Sequence, residues 1–338
     1  PIAVIAEGLD IPFVKSEPHP LKTGRKFKFL HISSGQYRKG VDILLKAYFE
    51  EFSDRDDVCL VLKLFPNLSL AKEIDTLIAA RPKNGPDLEI IRNVEISDGY
   101  LKYLYEQCSA VVLPSRAEGF GLPMAEALQM GKPLITTGYS GQMDFCNDGN
   151  AFLVDYRMTQ SQSHLNIAGA KVAEPDRISP RKQMRYVFEH AGSKETLARV
   201  VQGKIAAGKL TWERAADKFT GFLEQTARLA PLKTKKMAVI STINSKCGIA
   251  KYSKGLYGEI ANSFKGFKVF ANTDIGDRTD EDEEFVERVW QYGEQDFDSI
   301  REALTEYCPD LIHIQYNLSF YSPVMLARLI GFCQKFTP

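Results

Sequence analysis

The chain has 338 residues, 44% apolar and 25% charged, and Lys+Arg and Asp+Glu both number 43. That length suits two domains of roughly 100–200 residues better than one, and the composition excludes disorder and rod-like repeats. The balanced charge leaves no basic excess for a nucleic-acid backbone or a large anionic membrane contact, so no nucleic-acid partner is expected.

Residues 1–22 are polar and punctuated by Pro12, Pro18 and Pro20, which reads as a connection rather than a core element. Then the pattern changes to a β-rich run over 27–33, a glycine turn and an amphipathic helix over 41–52. A strand over 59–65, a helical stretch over 70–80, a strand over 88–91, a helix over 97–108 and a strand over 110–114 continue the alternation. A helix over 122–130, stopped by Gly131 and Pro133, leads to a strand over 134–136. Strands alternating with helices of this length predict parallel βαβ units, an α/β fold with a doubly wound sheet.

From 180 to about 229 helical spacing takes over, with Trp212 and Phe219 as anchors, and a basic, linker-like hexapeptide occupies 231–236. A second alternation follows: strand 237–240, a turn at Gly248, helix 249–263 and strand 268–270. An acidic run over 280–284 reads as a solvated loop, before strand 286–290, helix 299–307, strand 311–315 and a helix through 326–332. Two sheets are expected, the second incomplete. The chain opens at Pro1 rather than Met and stops at Thr337-Pro338, which reads as a fragment of something longer. Cys59, Cys108, Cys146, Cys247, Cys308 and Cys333 lie far apart, without a CxxC pair or zinc spacing, and read as reduced, mostly buried thiols of a cytoplasmic protein.

The chemistry concentrates in Pro114-Ser-Arg-Ala-Glu-Gly-Phe-Gly-Leu-Pro-Met-Ala-Glu126, which follows a predicted strand and opens a helix. The amides of Gly119, Phe120, Gly121 and Leu122 then stand at a helix N-terminus, where unsatisfied donors and the macrodipole favour an anion such as a diphosphate. Glu118 and Glu126 are eight positions apart, a little over two helical turns, and so lie near one side of the element. Carboxylates do not favour phosphates; hydroxyls of a sugar and a ribose are their natural partners. A tight turn capping a helix, with solvated glutamates, is the plain alternative for this loop taken alone.

The stretch resembles the glutamate–seven residues–glutamate signature of retaining, nucleotide-sugar-dependent glycosyltransferases of GT-B fold (glycosyltransferase family four). Ser33-Ser-Gly-Gln-Tyr-Arg-Lys-Gly-Val-Asp42 resembles that family's first βα loop, and Leu134-Ile-Thr-Thr-Gly-Tyr-Ser-Gly-Gln-Met-Asp144 its segment after the glutamate helix. The resemblance implies two Rossmann-like halves of GT-B type. It implies that Glu118 takes donor-sugar hydroxyls and Glu126 the ribose, and that the amides of Gly119, Phe120 and Gly121 face the sugar and diphosphate. Lys39 then neutralises charge on the leaving diphosphate. Where many members carry Gly-Arg after the first strand this chain has Ser33-Ser34; Arg38 either compensates or points to solvent. No metal and no cofactor are implied beyond the nucleoside-diphosphate sugar itself.

Residues 236–253 resemble the opening of an acceptor-side, N-terminal domain of the same family, and 310–315 a later strand of it. The resemblance thus divides the chain into a crossover stub (1–22, with Gly8-Leu-Asp10), a donor-binding domain (23–230), a linker (231–236) and a partial second N-terminal domain (237–338). A slice of a tandem hexosyltransferase, missing flanking halves, is the leading reading; a circularly permuted single enzyme and a non-catalytic nucleotide-sugar binding or scaffolding module are the alternatives. Resemblance to surface-polysaccharide enzymes points to GDP-mannose as donor and to a glycan acceptor, with a peripheral place at the inner membrane surface if that acceptor is lipid-linked. His313 and His31 lie in predicted strands and read as core; His164 reads as exposed. A pyridoxal phosphorylase and a dinucleotide dehydrogenase lack their marker lysine and GxGxxG.

Overall fold

Long apolar runs place the strands, and in the computed structural model they form the parallel sheets that the alternation predicts. Residues 2–65, 71–92, 94, 96–162, 169–227, 231–245, 247–274, 278–292, 296–316, 320 and 322–336 are described. The chain divides into two compact units, Leu9–Lys209 and Leu210–Pro338 together with Pro1–Gly8.

The first unit runs β1 (Phe27–Ser33), α1 (Val41–Glu51), β2 (Val58–Leu64), α2 (Ala71–Ala79), β3 (Asp87–Arg92), α3 (Asp98–Gln107), β4 (Ala110–Leu113), α4 (Leu122–Gln129), β5 (Leu134–Thr137) and β6 (Phe152–Val154). It closes with β7 (Tyr156–Gln160), β8 (Lys171–Pro175), α5 (Ser179–His190) and α6 (Lys194–Ala207). The sheet order is β3-β2-β1-β4-β5-β6, every pair parallel. β2 is buried along its whole length, as a strand covered by helices on both faces must be. Phe29, Leu60, Val112 and Ile135 of the sheet pack with Leu44 and Tyr48 of α1 and Met184 and Val187 of α5. β1 connects to β2 on one side and β4 to β5 on the other, so the order in which successive strands are added reverses between β1 and β4. The loops leaving their carboxyl ends meet there, at the place where doubly wound sheets hold ligands.

The second unit runs α7 (Trp212–Ala227), β9 (Lys236–Ile240), α8 (Gly248–Ile260), β10 (Gly266–Asn272), β11 (Val286–Trp290), α9 (Asp298–Tyr307), β12 (Leu311–Ile314) and α10 (Pro323–Cys333). Its four strands are parallel in the order β11-β10-β9-β12. Alternate strand residues build two cores: Val239 and Val269 meet Phe219, Leu256 and Tyr257, while Ile240 and Phe270 meet Trp290, Ile300 and Leu329. Both halves are thus α/β and Rossmann-like, as expected.

Several details differ from the sequence reading. The compact boundary falls at 209/210, not at 230, because α7 packs on the second sheet. Trp212 lies so close to Gly255 that a Cβ there would come within 2.2 Å of the indole, and it lies equally against Gly8. Residues 1–8 therefore belong with the second unit and 9–22 with the first, so the stub is split. The hexapeptide at 231–236 is no free linker: Leu232 is buried in the core beside Met237 and Lys236 already starts β9. The antiparallel β7–β8 hairpin and three-residue β6 were not foreseen. The acidic run is anchored rather than solvated throughout, for Asp282 receives two hydrogen bonds from Arg288 at 2.8 and 2.7 Å. Of the cysteines, Cys59, Cys108, Cys146 and Cys333 are buried, Cys308 is exposed, and all six are free. Among the described residues, no helix is long and apolar enough to cross a membrane.

Candidate functional site

The site grows from the two loops at the β1/β4 reversal. After β1 the chain makes one 3-10 turn over Tyr37–Lys39, closed by Lys39 N–H to Gln36 O at 2.8 Å and Gly40 N–H to Tyr37 O at 3.2 Å. Gly40 has φ +68°, and a Cβ on it would stand 2.0 Å from the Pro114 carbonyl oxygen. Only glycine lets this turn lie against the end of β4. The second loop, 114–121, leads into α4 through Gly121, at φ +95°, which caps the helix without a side chain. Among the described residues no acceptor in the chain pairs with the amides of Gly119, Phe120, Gly121 and Leu122. These donors, at the positive end of the helix, are suited to an anion.

Glu118 stands between the loops. Its carboxylate accepts two hydrogen bonds from Lys39 Nζ, at 2.8 and 2.7 Å, one from Arg38 Nη1 at 2.9 Å and one from Ser115 Oγ at 2.7 Å. Its side chain is only 5% exposed, against 14% for Lys39 and 46% for Arg38. Burial pushes the Lys39 ammonium below the ordinary lysine range; Glu118 opposes that shift and Arg38 adds to it. The Glu118 backbone is fixed as well, its N–H donating to Ser140 Oγ at 3.0 Å and its carbonyl accepting from the same hydroxyl at 2.6 Å. Arg38 thus lies on the site, not free in solvent. Glu126 sits apart from this group on α4, 4% exposed, accepting from the Tyr105 phenol at 2.9 Å. Burial and the neighbouring Glu126 carboxylate raise the Tyr105 pKa well above that of an ordinary phenol.

Ser33, standing where the resemblance implies Gly-Arg, is wired inward. Its Oγ accepts from Gly35 N–H at 3.2 Å and lies 2.9 Å from His31 Nε2, while His31 Nδ1 lies 2.8 Å from the Val112 carbonyl. A carbonyl only accepts, so Nδ1 carries the proton and Nε2 accepts from the serine. Burial, opposed by that carbonyl, lowers the His31 pKa to about 4. His31 is therefore a core residue that orders the loop. His313 is half-buried between Tyr257 and Phe219, its pKa also lowered to about 4 by burial. His164 lies outside the described residues.

Sequence reasoning missed Arg116, Asp42 and Glu174. Arg116 was in plain view within the loop, but no local spacing ties it to partners 74 and 58 positions away. Ser115, Ser140 and Tyr105 likewise carried no signal of their own.

Residues 15–168 match the family model described as glycosyl transferases group 1. A D-inositol 3-phosphate glycosyltransferase of Arthrobacter sp. (strain FB24) is 31% identical over 131 residues, 38% of this chain and 30% of that protein. An uncharacterized glycosyltransferase of Methanocaldococcus jannaschii is 30% identical over 112 residues, 33% of this chain and 29% of that protein. The matches thus span less than a third of those curated relatives. Among solved structures, sucrose-phosphate synthase from Thermosynechococcus elongatus superposes with a TM-score of 0.50 at 18% identity, over 65% of this chain and 51% of that one. Anabaena HepE in complex with UDP and glucose gives 0.51 at 19% identity, over 67% and 57%. The fold is thus similar to that of GT-B glycosyltransferases, and the glycosyl transferases group 1 resemblance holds over the segment that contains the site.

Proposed function

We propose that the parent protein is a glycosyltransferase and that residues 9–209 form its donor site, taking a nucleoside-diphosphate hexose. The observation that carries this reading is the Lys39–Glu118–Arg38 cluster beside four unengaged amides at the N-terminus of α4, all within the segment matching glycosyl transferases group 1. Lys39 and Arg38 take diphosphate oxygens, and the amides of Gly119, Phe120 and Gly121 donate to the same group. Glu118, released from the cations, accepts from sugar hydroxyls. Glu126 accepts from the ribose while the Tyr105 phenol holds its other oxygen in place.

Transfer then proceeds with retention. The bond from the anomeric carbon to the diphosphate breaks, the acceptor oxygen bonds that carbon on the same face, and the departing diphosphate takes the acceptor's proton. Negative charge growing on the diphosphate meets Lys39 and the helix N-terminus, the electrostatic contribution that weighs most in such reactions. GDP-mannose as donor, a polysaccharide or lipid-linked glycan as acceptor, action at the cytoplasmic face of the inner membrane and a tandem parent complete the reading.

One observation favours the permuted alternative: residues 1–8 and 210–227, which flank the donor unit in sequence, both pack in the compact unit of the second sheet. Transfer assays on this chain alone separate the readings. Binding without turnover fits a tandem slice or a scaffolding module, and turnover requires the permuted enzyme. For the donor site itself, calorimetry with GDP and UDP is expected to show binding that Lys39→Ala weakens strongly, and Glu118→Ala is expected to cut transfer by the full-length parent strongly. Undiminished turnover of that variant would refute the proposal.

A further inference from the structure

Arg116 is 2% exposed, and every N–H of its guanidinium is engaged within the chain. Nη1 donates to Asp42 Oδ1 at 2.8 Å and to the Tyr37 carbonyl at 2.7 Å, and Nη2 to Asp42 Oδ2 at 2.8 Å and Glu174 Oε1 at 2.9 Å. Nε donates to Glu174 Oε2 at 2.6 Å, and the guanidinium lies 3.9 Å from the centre of the Tyr37 ring. No donor remains for a ligand, so Arg116 does not touch substrate. Its backbone joins the same segments: Arg116 N–H donates to the Arg38 carbonyl at 2.7 Å, and its carbonyl accepts from Ala173 N–H at 3.1 Å.

The segment it grips carries both site cations. Lys and Arg side chains are long and flexible, so an ammonium aimed at a phosphate is only as well placed as the backbone beneath it. The 3-10 turn of Tyr37–Lys39 closes on itself through two backbone hydrogen bonds, while Arg116 holds two of its carbonyls from outside. A buried guanidinium between two carboxylates is itself held rigidly, for each is bidentate and charge-assisted. Glu174 also accepts from the Tyr37 hydroxyl at 3.2 Å, which brings the β7–β8 hairpin into the same network.

We infer that Arg116 is the positioning residue of this site: clamped by Asp42 of α1 and Glu174 of β8, it fixes the Tyr37–Lys39 turn so that Lys39 and Arg38 meet Glu118, and it makes the hairpin a working part of that site. The meaning of this inference rests on the donor-site reading; its geometry does not.

The test is amide hydrogen exchange on the full chain, for wild type, Arg116→Lys and Glu174→Gln, with GDP and UDP titrations alongside. Arg116→Lys keeps the charge but loses the fork. Amides of 36–40 should then exchange about tenfold faster, the effect expected when a charge-assisted hydrogen bond is lost, while the β1–β2 ladder is unchanged. Unchanged exchange at 36–40, or acceleration spread evenly over the sheet, would overturn the inference. If Arg116→Lys fails to fold, Glu174→Gln decides: acceleration at both 171–175 and 36–40 supports it, and acceleration confined to 171–175 overturns it. Where wild type binds GDP or UDP, Arg116→Lys should weaken that binding clearly more in the Lys39 background than in Lys39→Ala, where Arg38 is the one cation of the turn left to misplace; equal losses in both would reject positioning. If wild type binds neither nucleotide while exchange behaves as expected, the donor-site reading fails and the positioning role stands.

Discussion

Glu118→Gln should move affinity and rate in opposite directions. In the ligand-free site the Glu118 carboxylate occupies the very cations assigned to the diphosphate, with Lys39 contacts at 2.8 and 2.7 Å. A hydrogen bond to a charged group is worth about 1.5–3 kcal/mol, and a neutral amide retains about 1 kcal/mol of that. Arg38, nearly half exposed, adds little after screening by solvent. The glutamine variant therefore relieves about 0.5–2 kcal/mol that a diphosphate otherwise has to displace, and GDP or UDP should bind about 2–30-fold more tightly. Transfer, in whichever protein carries this site and turns over, should fall about 100-fold or more, because the charged contact to the sugar is lost where charge develops. Isothermal titration and a transfer assay on the same preparation measure both. Weakening of nucleotide binding to the extent seen with Lys39→Ala would refute the idea that carboxylate and diphosphate compete for these cations.

Gly40→Ala forces a Cβ against the Pro114 carbonyl at a left-handed backbone position; a loss of about 2 kcal/mol or more in chemical denaturation, with weaker GDP binding, is expected. Phe219→Ala should cost about 3–5 kcal/mol, read as an earlier unfolding of the sheet of β9 to β12 by exchange, since the ring is buried in that unit's core. Acid should destabilise the first unit partly through His31. The unfolded imidazole takes up a proton near pH 6.5 and the folded one only at about 4. Between those values the unfolded chain binds more protons, so stability falls as pH drops through that window, by about 3 kcal/mol for this residue. His31→Gln should flatten the pH dependence of the denaturation midpoint over that range; an unchanged slope would contradict the assignment.

The βα alternation was legible because a parallel sheet covered on both faces needs near-continuous apolar strands, and β2 and β4 have them. The Glu118 loop was legible because glycines, a proline and a helix start are local signals. The hairpin was not: β7 is exposed on both faces, β8 ends in Pro175, and neither alternates cleanly. Nor could periodicity assign α7, because an amphipathic helix declares that it has an apolar face but not which sheet covers it; Trp212 and Gly255 settle that in three dimensions. The Arg116 network eluded reading for a related reason. Charges distant in sequence look like solvated surface until the fold buries them together.

A crystal structure of this chain with GDP, and a second with UDP, tests the donor site most directly. Diphosphate oxygens are expected at hydrogen-bond distance, about 2.7–3.1 Å, from the amides of Gly119 to Gly121 and from Lys39 Nζ, with Glu118 turned off the ammonium. Nucleotide bound elsewhere, or a Lys39–Glu118 pair left intact beneath it, would contradict the assignment.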